Sequence, residues 1–221
     1  MKAAATRHRF EVRKTPAGDK LTAFQFIANC FDIWAKIAPR LRARAYFLRT
    51  GICFKRIGVH AKIYGAGKMT VGARVSLGDF CWIEAVAHYG GQEYHPRLVL
   101  GDDVSVSDLT HISCVQSISI GDGCLLGSKI YIGDHNHGST RDIAEMLNVT
   151  PARRPLGDAA EIKIGDRVWI CDGAVILAGT RIASGSIVGA NSVVSLSVDR
   201  PALIAGIPAR VIRYLDNCPT K

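Results

Sequence analysis

Residues 164–193 read IGDRVW-ICDGAV-ILAGTR-IASGSI-VGANSV, an apolar residue every sixth position followed by small, polar or glycine positions. Neither an α-helix nor a hairpin meander has a period of six. A triangular prism does, with each face one short strand, each corner a turn, and every apolar residue pointing inward onto its copy one coil away. The same frame extends towards the N-terminus as IGDGCL-LGSKIY-IGDHNH from Ile120, LGDDVS-VSDLTH-ISCVQS from Leu100, VGARVS-LGDFCW-IEAVAH from Val71 and IGVHAK-IYGAGK from Ile57, with a two-residue offset before Ile120. Three blocks make a coil of about eighteen residues, and stacked coils satisfy each other's backbone groups while burying an aliphatic column. The fold class expected is all-β, a parallel β-helix of hexapeptide repeats. The recurrent glycines (Gly58, Gly72, Gly78, Gly101, Gly121, Gly133, Gly165, Gly189) fall near the corners, where positive φ or the absence of Cβ is useful.

Two segments interrupt the frame, residues 89–99 and the longer 138–163, and a rigid scaffold that extrudes loops commonly puts function in them. The repeat body is taken as 57–200, preceded by a segment 1–56 and followed by a tail 201–221. In the first segment Thr22-x-x-Gln25 reads as a capping box, and Leu21, Phe24, Ile27, Phe31, Trp34, Ile37 and Leu41 recur at helical spacing.

Composition agrees. Of 221 residues 48% are hydrophobic but only 7% aromatic, with 22 glycines, as small and branched aliphatics between tight turns require. The net charge of +9 is unevenly placed: residues 1–50 hold 11 Lys/Arg against Glu11, Asp19 and Asp32, and the remainder is nearly neutral. The basic excess suits an anionic membrane surface or acidic polymer, and an amphipathic helix there either packs on the protein or lies on a membrane. No nucleic-acid recognition motif accompanies it. Leu21–Pro39 carries Asp32 and Lys36 and is too polar for a confident span, and Met1–Arg13 is basic without the apolar run of a secretory signal, so a cytoplasmic protein is expected. The seven cysteines form no C-x-x-C pair; Cys81 and Cys124 hold interior positions and read as reduced core thiols.

Ile132-Gly133-Asp134-His135-Asn136-His137-Gly138, Ile164–Ile170 and Gly206-Ile207-Pro208-Ala209-Arg210-Val211-Ile212-Arg213, in that order, resemble the hexapeptide-repeat acyltransferases, and among them the galactoside, maltose and polysaccharide O-acetyltransferases. The resemblance covers about residues 57–213. It implies a left-handed helix, a homotrimer, and acetyl-CoA as co-substrate in clefts between neighbouring subunits, with no metal. It also implies His135 as general base, by its place in the short motif before the large loop. Chemistry agrees, because an alcohol is a poor nucleophile at neutral pH and imidazole titrates where it can take the proton. His137, two residues on, shares a face with His135 in an extended strand and is assigned to the acceptor or to orienting the base; Asp134 would point away and is not expected to partner it. Ser107 and Asp108 align with the acceptor region of related sugar enzymes, although a corner Asp is commonly a turn residue. By the same resemblance pantetheine runs near Trp169, Asp172, Ala190 and Ser195, and CoA phosphates near Arg210 and Arg213, whose guanidiniums suit phosphate. The layout resembles the polysaccharide enzymes most, which implies a sugar or glycan acceptor in a surface-polysaccharide pathway. Competing readings are N-acetylation of an amino sugar, a γ-class carbonic anhydrase using His111, His135 and His137, and a non-catalytic scaffold.

Overall fold

The computed structural model describes residues 23–216. They divide into two compact units, one ending at Ile37 and one beginning at Ala38. Helix α1 (Ala23–Thr50) contributes to both. In the first unit its described side chains include exposed Phe26, Ile27, Phe31, Ile33, Trp34 and Ile37. At 100° per residue these fall on one arc, with Gln25, Asn29, Asp32 and Lys36 opposite, so the expected amphipathic helix is present. The capping-box residue Thr22 lies outside the described residues. No described helix is long and apolar enough to cross a membrane.

In the second unit the repeat becomes three sheets of eight, six and six strands, one per prism face, parallel except for the last strand of the first. The first face stacks Ile57, Leu77, Val106, Leu126, Ile170 and Val188 in register, and the second stacks Ile63, Ile83, Ile112, Ile132, Ile176 and Val194. The third stacks Val71, Leu100, Ile120, Ile164, Ile182 and Val198. Nearly all of these side chains join one continuous core, with Cys81 and Cys124 buried among them. The chain closes with Ala202–Gly206, which extends the first face, and Ala209–Tyr214, which folds back antiparallel on it.

The corners are built by carboxylates. Asp79, Asp102, Asp108, Asp122, Asp166 and Asp172 each accept, through Oδ1, a backbone N–H from the coil before. The corner glycines serve by lacking Cβ rather than by positive φ: a Cβ on Gly121 would overlap Asp166 Oδ1 and lie 2.7 Å from the Gly165 carbonyl carbon. Positive φ falls two residues later in the block, on Phe80, Asp103, Leu109, Lys129 and Arg167 among others.

Both interruptions leave the prism on the same side and are tied together. The first includes the hairpin His88–Tyr89/Gln92–Glu93, and the second includes helix α2 (Ile143–Asn148) and Leu156–Gly157, which pairs antiparallel with Asn136–His137. Tyr89 Oη donates to the Ala152 carbonyl (2.9 Å), and Leu156 N–H donates to Tyr94 Oη (2.8 Å). Buried Arg154 pins the large loop by donating to the carbonyls of Val149 (2.8 Å) and Met146 (2.7 Å).

Candidate active site

The strand Tyr131–Gly133 stops one residue before the motif's carboxylate, and this changes which way Asp134 faces. The expectation that Asp134 points away from His135 is wrong, because it assumed strand alternation through His135. Asp134 is fully buried and its Oδ1 lies 2.9 Å from His135 Nδ1. Its oxygens also accept three successive backbone N–H groups, Val115 on Oδ1 and Gln116 and Ser117 on Oδ2, each at 2.9 Å. Those donors belong to the wide corner made by the two extra residues between Ile112 and Ile120. The offset in the repeat therefore builds an anion-holding nest for a carboxylate one coil later. Burial alone would raise the Asp134 carboxyl, but the bonds from His135, Val115 and Gln116 outweigh it and hold it below the usual carboxylate range. With an ionised acceptor on Nδ1, the proton of neutral His135 sits on that nitrogen and the lone pair sits on Nε2.

His135 lines a cleft of about 500 Å³ with His137, Asn136, Trp82, Glu84, His88, Tyr89, His111, Ser113 and Tyr131. The outward residues of the second face supply its wall, since Trp82, His111 and Tyr131 are register partners beside the buried Ile83, Ile112 and Ile132. Trp82 and His111 stack at 4.5 Å, and Tyr131 meets His111 edge-on at 5.4 Å. Gly133 is a special case among the repeat glycines: the Tyr131 phenol occupies the space its Cβ would take. One register further, Glu84 Oε1 accepts from Ser113 Oγ at 2.7 Å and faces His111 Nε2 at 3.4 Å. Burial pushes the Glu84 carboxyl up, yet the bonds from His111 and Ser113 bring it below its ordinary value. His137 stands opposite, edge-on to Tyr89 at 5.3 Å.

Of the residues singled out from sequence, His135 and His137 share this cleft. Ser107 and Asp108 are not among its lining; Asp108 caps the Asp79 N–H at 2.7 Å and the Ser107 carbonyl accepts from Cys81 Sγ at 3.1 Å. Glu84, Ser113 and Tyr131 were missed, and their signal was an outward polar or aromatic residue at the same two register positions in successive coils. Although His111, His135 and His137 line one cleft, no group of three or more His, Cys, Asp or Glu among the described residues is arranged to hold a metal ion.

Comparison with known proteins bears on this geometry. The family model for bacterial transferase hexapeptide (six repeats) matches residues 161–195. A protein named for O-acetyl transfer in lipopolysaccharide biosynthesis, WbbJ of Escherichia coli (strain K12), is 42% identical over 122 residues, which are 54% of this chain and 62% of WbbJ. The chain resembles the hexapeptide-repeat transferases. Another such transferase, WcaF of Escherichia coli (strain K12), named for acetyl transfer in colanic acid biosynthesis, is 29% identical over 78% of this chain and 75% of WcaF. In fold, this hexapeptide-repeat chain is similar to the N-acyltransferase AntD of Bacillus cereus, solved with dTDP and 3-hydroxybutyryl-CoA, at 18% identity and TM-score 0.60 over 77% of this chain and 87% of AntD.

The residues assigned to the donor lie on the later coils of the hexapeptide-repeat body. Ser195 lines a second cleft of about 490 Å³ with Asn136, Thr140, Arg141 and Asp158, so the two clefts share Asn136 beside His135. Trp169 is exposed on the first face, and exposed Ala190 lies at a corner of the later coils. Asp172 is engaged at a corner, accepting the Ser128 N–H at 2.6 Å, which accounts for a carboxylate at that position. Arg210 and Arg213 are on the returning strand, where residues three apart normally face opposite ways. A bulge at Ile212 restores a common side, because Arg210 pairs with Ala205 and Arg213 with Leu203.

Proposed function

We propose that the protein is an acetyl-CoA-dependent O-acetyltransferase that acts on a sugar hydroxyl in surface-polysaccharide biosynthesis. The observation that carries the reading is the buried, three-times-capped Asp134 carboxylate fixing His135, whose side chain is 7% exposed and lines the cleft. The names of WbbJ and WcaF support the acceptor class. In this reading residues 57–200 are a left-handed catalytic body, 201–221 its cap and 1–56 an appendage. Three such chains associate, and acetyl-CoA lies between neighbours along Ser195, Ala190, Asp172 and Trp169 with its phosphates toward Arg210 and Arg213. No metal takes part.

The mechanism is direct transfer. His135 Nε2 accepts the proton of the acceptor hydroxyl as its oxygen bonds to the acetyl carbonyl carbon. The tetrahedral adduct collapses by breaking the carbon–sulfur bond, and the departing CoA sulfur takes the proton back from His135. Asp134 stays ionised and stabilises the transient imidazolium, as the carboxylate of a catalytic triad does. A thiol route has little support here: Cys114, beside Asp134, is buried, and burial and that carboxylate push its thiol up, away from the nucleophilic thiolate. His137 contacts the acceptor, and Ser107 and Asp108 contribute from the neighbouring corner.

The basic, amphipathic N-terminal segment brings the enzyme to the inner face of a membrane. Removing residues 1–50 should abolish co-flotation with vesicles containing anionic lipid, and equal flotation of the truncated chain would remove this part. The reading as a whole is tested by acetyl-dependent CoA release over a panel of sugars and amino sugars. Transfer to hydroxyls supports it, and transfer to amines alone would replace it with the N-acetyl reading.

A further inference from the structure

We propose that Glu84 is the acceptor-anchoring residue of the His135 cleft and that its charge makes the enzyme select an uncharged sugar ring over an anionic one. The inference rests on the transferase reading and deepens it by naming the acceptor's charge class.

Four observations carry it. Glu84 is one of the residues lining the cleft with His135, and its side chain is only 18% exposed. Ser113 Oγ donates to Glu84 Oε1 and His111 Nε2 faces the same oxygen, while the Trp82 side chain also bonds the carboxylate, so three cleft-wall residues fix it in place. Among the described residues no lysine or arginine lines the cleft; the Lys62 ammonium lies 5.4 Å from the Trp82 ring centroid, on the far side of the aromatic stack from Tyr131. Finally, the carboxylate is rigid: Trp82 and Tyr131 hold His111, His111 and Ser113 hold Glu84, and each sits on a strand of the core sheet.

A fixed, partly desolvated carboxylate on a cleft wall accepts hydrogen bonds from hydroxyl donors well and repels a second carboxylate or phosphate strongly. Hydroxyls on the carbons next to the reacting one are what a pyranose offers such an acceptor. Any phosphate of a nucleotide-linked or lipid-linked acceptor must then lie outside this cleft, while the ring that is acetylated enters it uncharged. Tyr131 lines the same cleft, and burial together with the charges of Asp134 and Glu84 pushes its phenol up. The acceptor anchor and the catalytic pair are thus neighbours, and holding the ring by Glu84 sets which hydroxyl reaches His135.

The experiment compares methyl hexopyranosides with the methyl glycosides of the corresponding uronic acids, at pH 7.5, in wild type, Glu84→Gln and Ser113→Ala. Wild type should prefer the neutral acceptor by at least tenfold in kcat/KM. Glu84→Gln should raise the KM for neutral sugar about tenfold, leave the KM for acetyl-CoA within twofold, and reduce the neutral-over-uronide ratio at least tenfold. Ser113→Ala should move the acceptor KM in the same direction by less. An unchanged ratio in Glu84→Gln overturns the proposal, as does a wild type that takes both classes equally. If wild type acetylates no sugar but does acetylate amines, the function reading has failed. Calorimetric binding of the neutral glycoside to His135→Ala then still judges Glu84: binding that is indifferent to Glu84→Gln on that background refutes the anchor.

Discussion

Replacing Asp134 by Asn changes one atom and tests why His135 would be a base. The carboxylate meets four hydrogen-bonding partners: Val115 N–H and His135 Nδ1 at Oδ1, and Gln116 N–H and Ser117 N–H at Oδ2. An Asn can keep its carbonyl on the Gln116/Ser117 pair, but its amide then puts an N–H against the Val115 N–H and toward Nδ1. His135 answers by carrying its proton on Nε2 and accepting at Nδ1, the wrong tautomer for a base. In a serine-protease triad this substitution lowers kcat about 10⁴-fold, and general-base catalysis supplies about 10²–10⁴. At about 1.36 kcal/mol per decade that is a loss of about 3–5 kcal/mol of transition-state stabilisation. Stability should fall too, because the Val115 N–H loses its charged acceptor, which costs about 1–3 kcal/mol. The assay is continuous thiol release from acetyl-CoA with saturating acceptor, run beside thermal unfolding. Asp134→Asn should match His135→Ala in kcat to within a few fold, and the double variant should be no slower than either, as groups acting as a unit behave. A folded Asp134→Asn with kcat within threefold of wild type would refute the tautomer argument.

Other consequences are simpler to check. Gly121→Ala drives a methyl into the next coil's Gly165–Asp166 corner, so it should lower stability by about 1–3 kcal/mol, seen as a melting temperature several degrees lower. Asp158 accepts from Thr140 N–H and from the hydroxyls of Thr140 and Ser139, which lower its carboxyl to about 2. Because the folded value is depressed, the clamp is present above about pH 4 and is lost only as pH falls toward 2. Asp158→Asn should open residues 139–158 to limited proteolysis at neutral pH, and equal resistance would contradict the clamp.

The repeat was legible because stacking demands an aliphatic residue at every sixth place, and Ile170, Ile176, Ile182 and Val188 have no other physical reason for their spacing. The loop positions and His135 followed from where that frame breaks. Asp134 was misread because strand alternation was carried one residue too far, past the end of the strand at Gly133. Its partners lie on the previous coil, in the wide corner at Val115–Ser117, and a nest of backbone donors leaves no residue-type signature. Glu84 and Ser113 were hidden for a similar reason: they are far apart in sequence and meet through register. Asp108 and Asp172 show the converse ambiguity, since each carboxylate closes a corner through Oδ1 whatever else it touches.

The most direct measurement is a single turnover with enzyme in excess over acetyl-CoA and acceptor saturating, comparing wild type with His135→Ala at equal acetyl-CoA occupancy. Loss of the imidazole should slow acetyl transfer to acceptor at least 10²-fold while leaving acetyl-CoA affinity within twofold. Transfer by His135→Ala within threefold of wild type would mean that another group takes the proton.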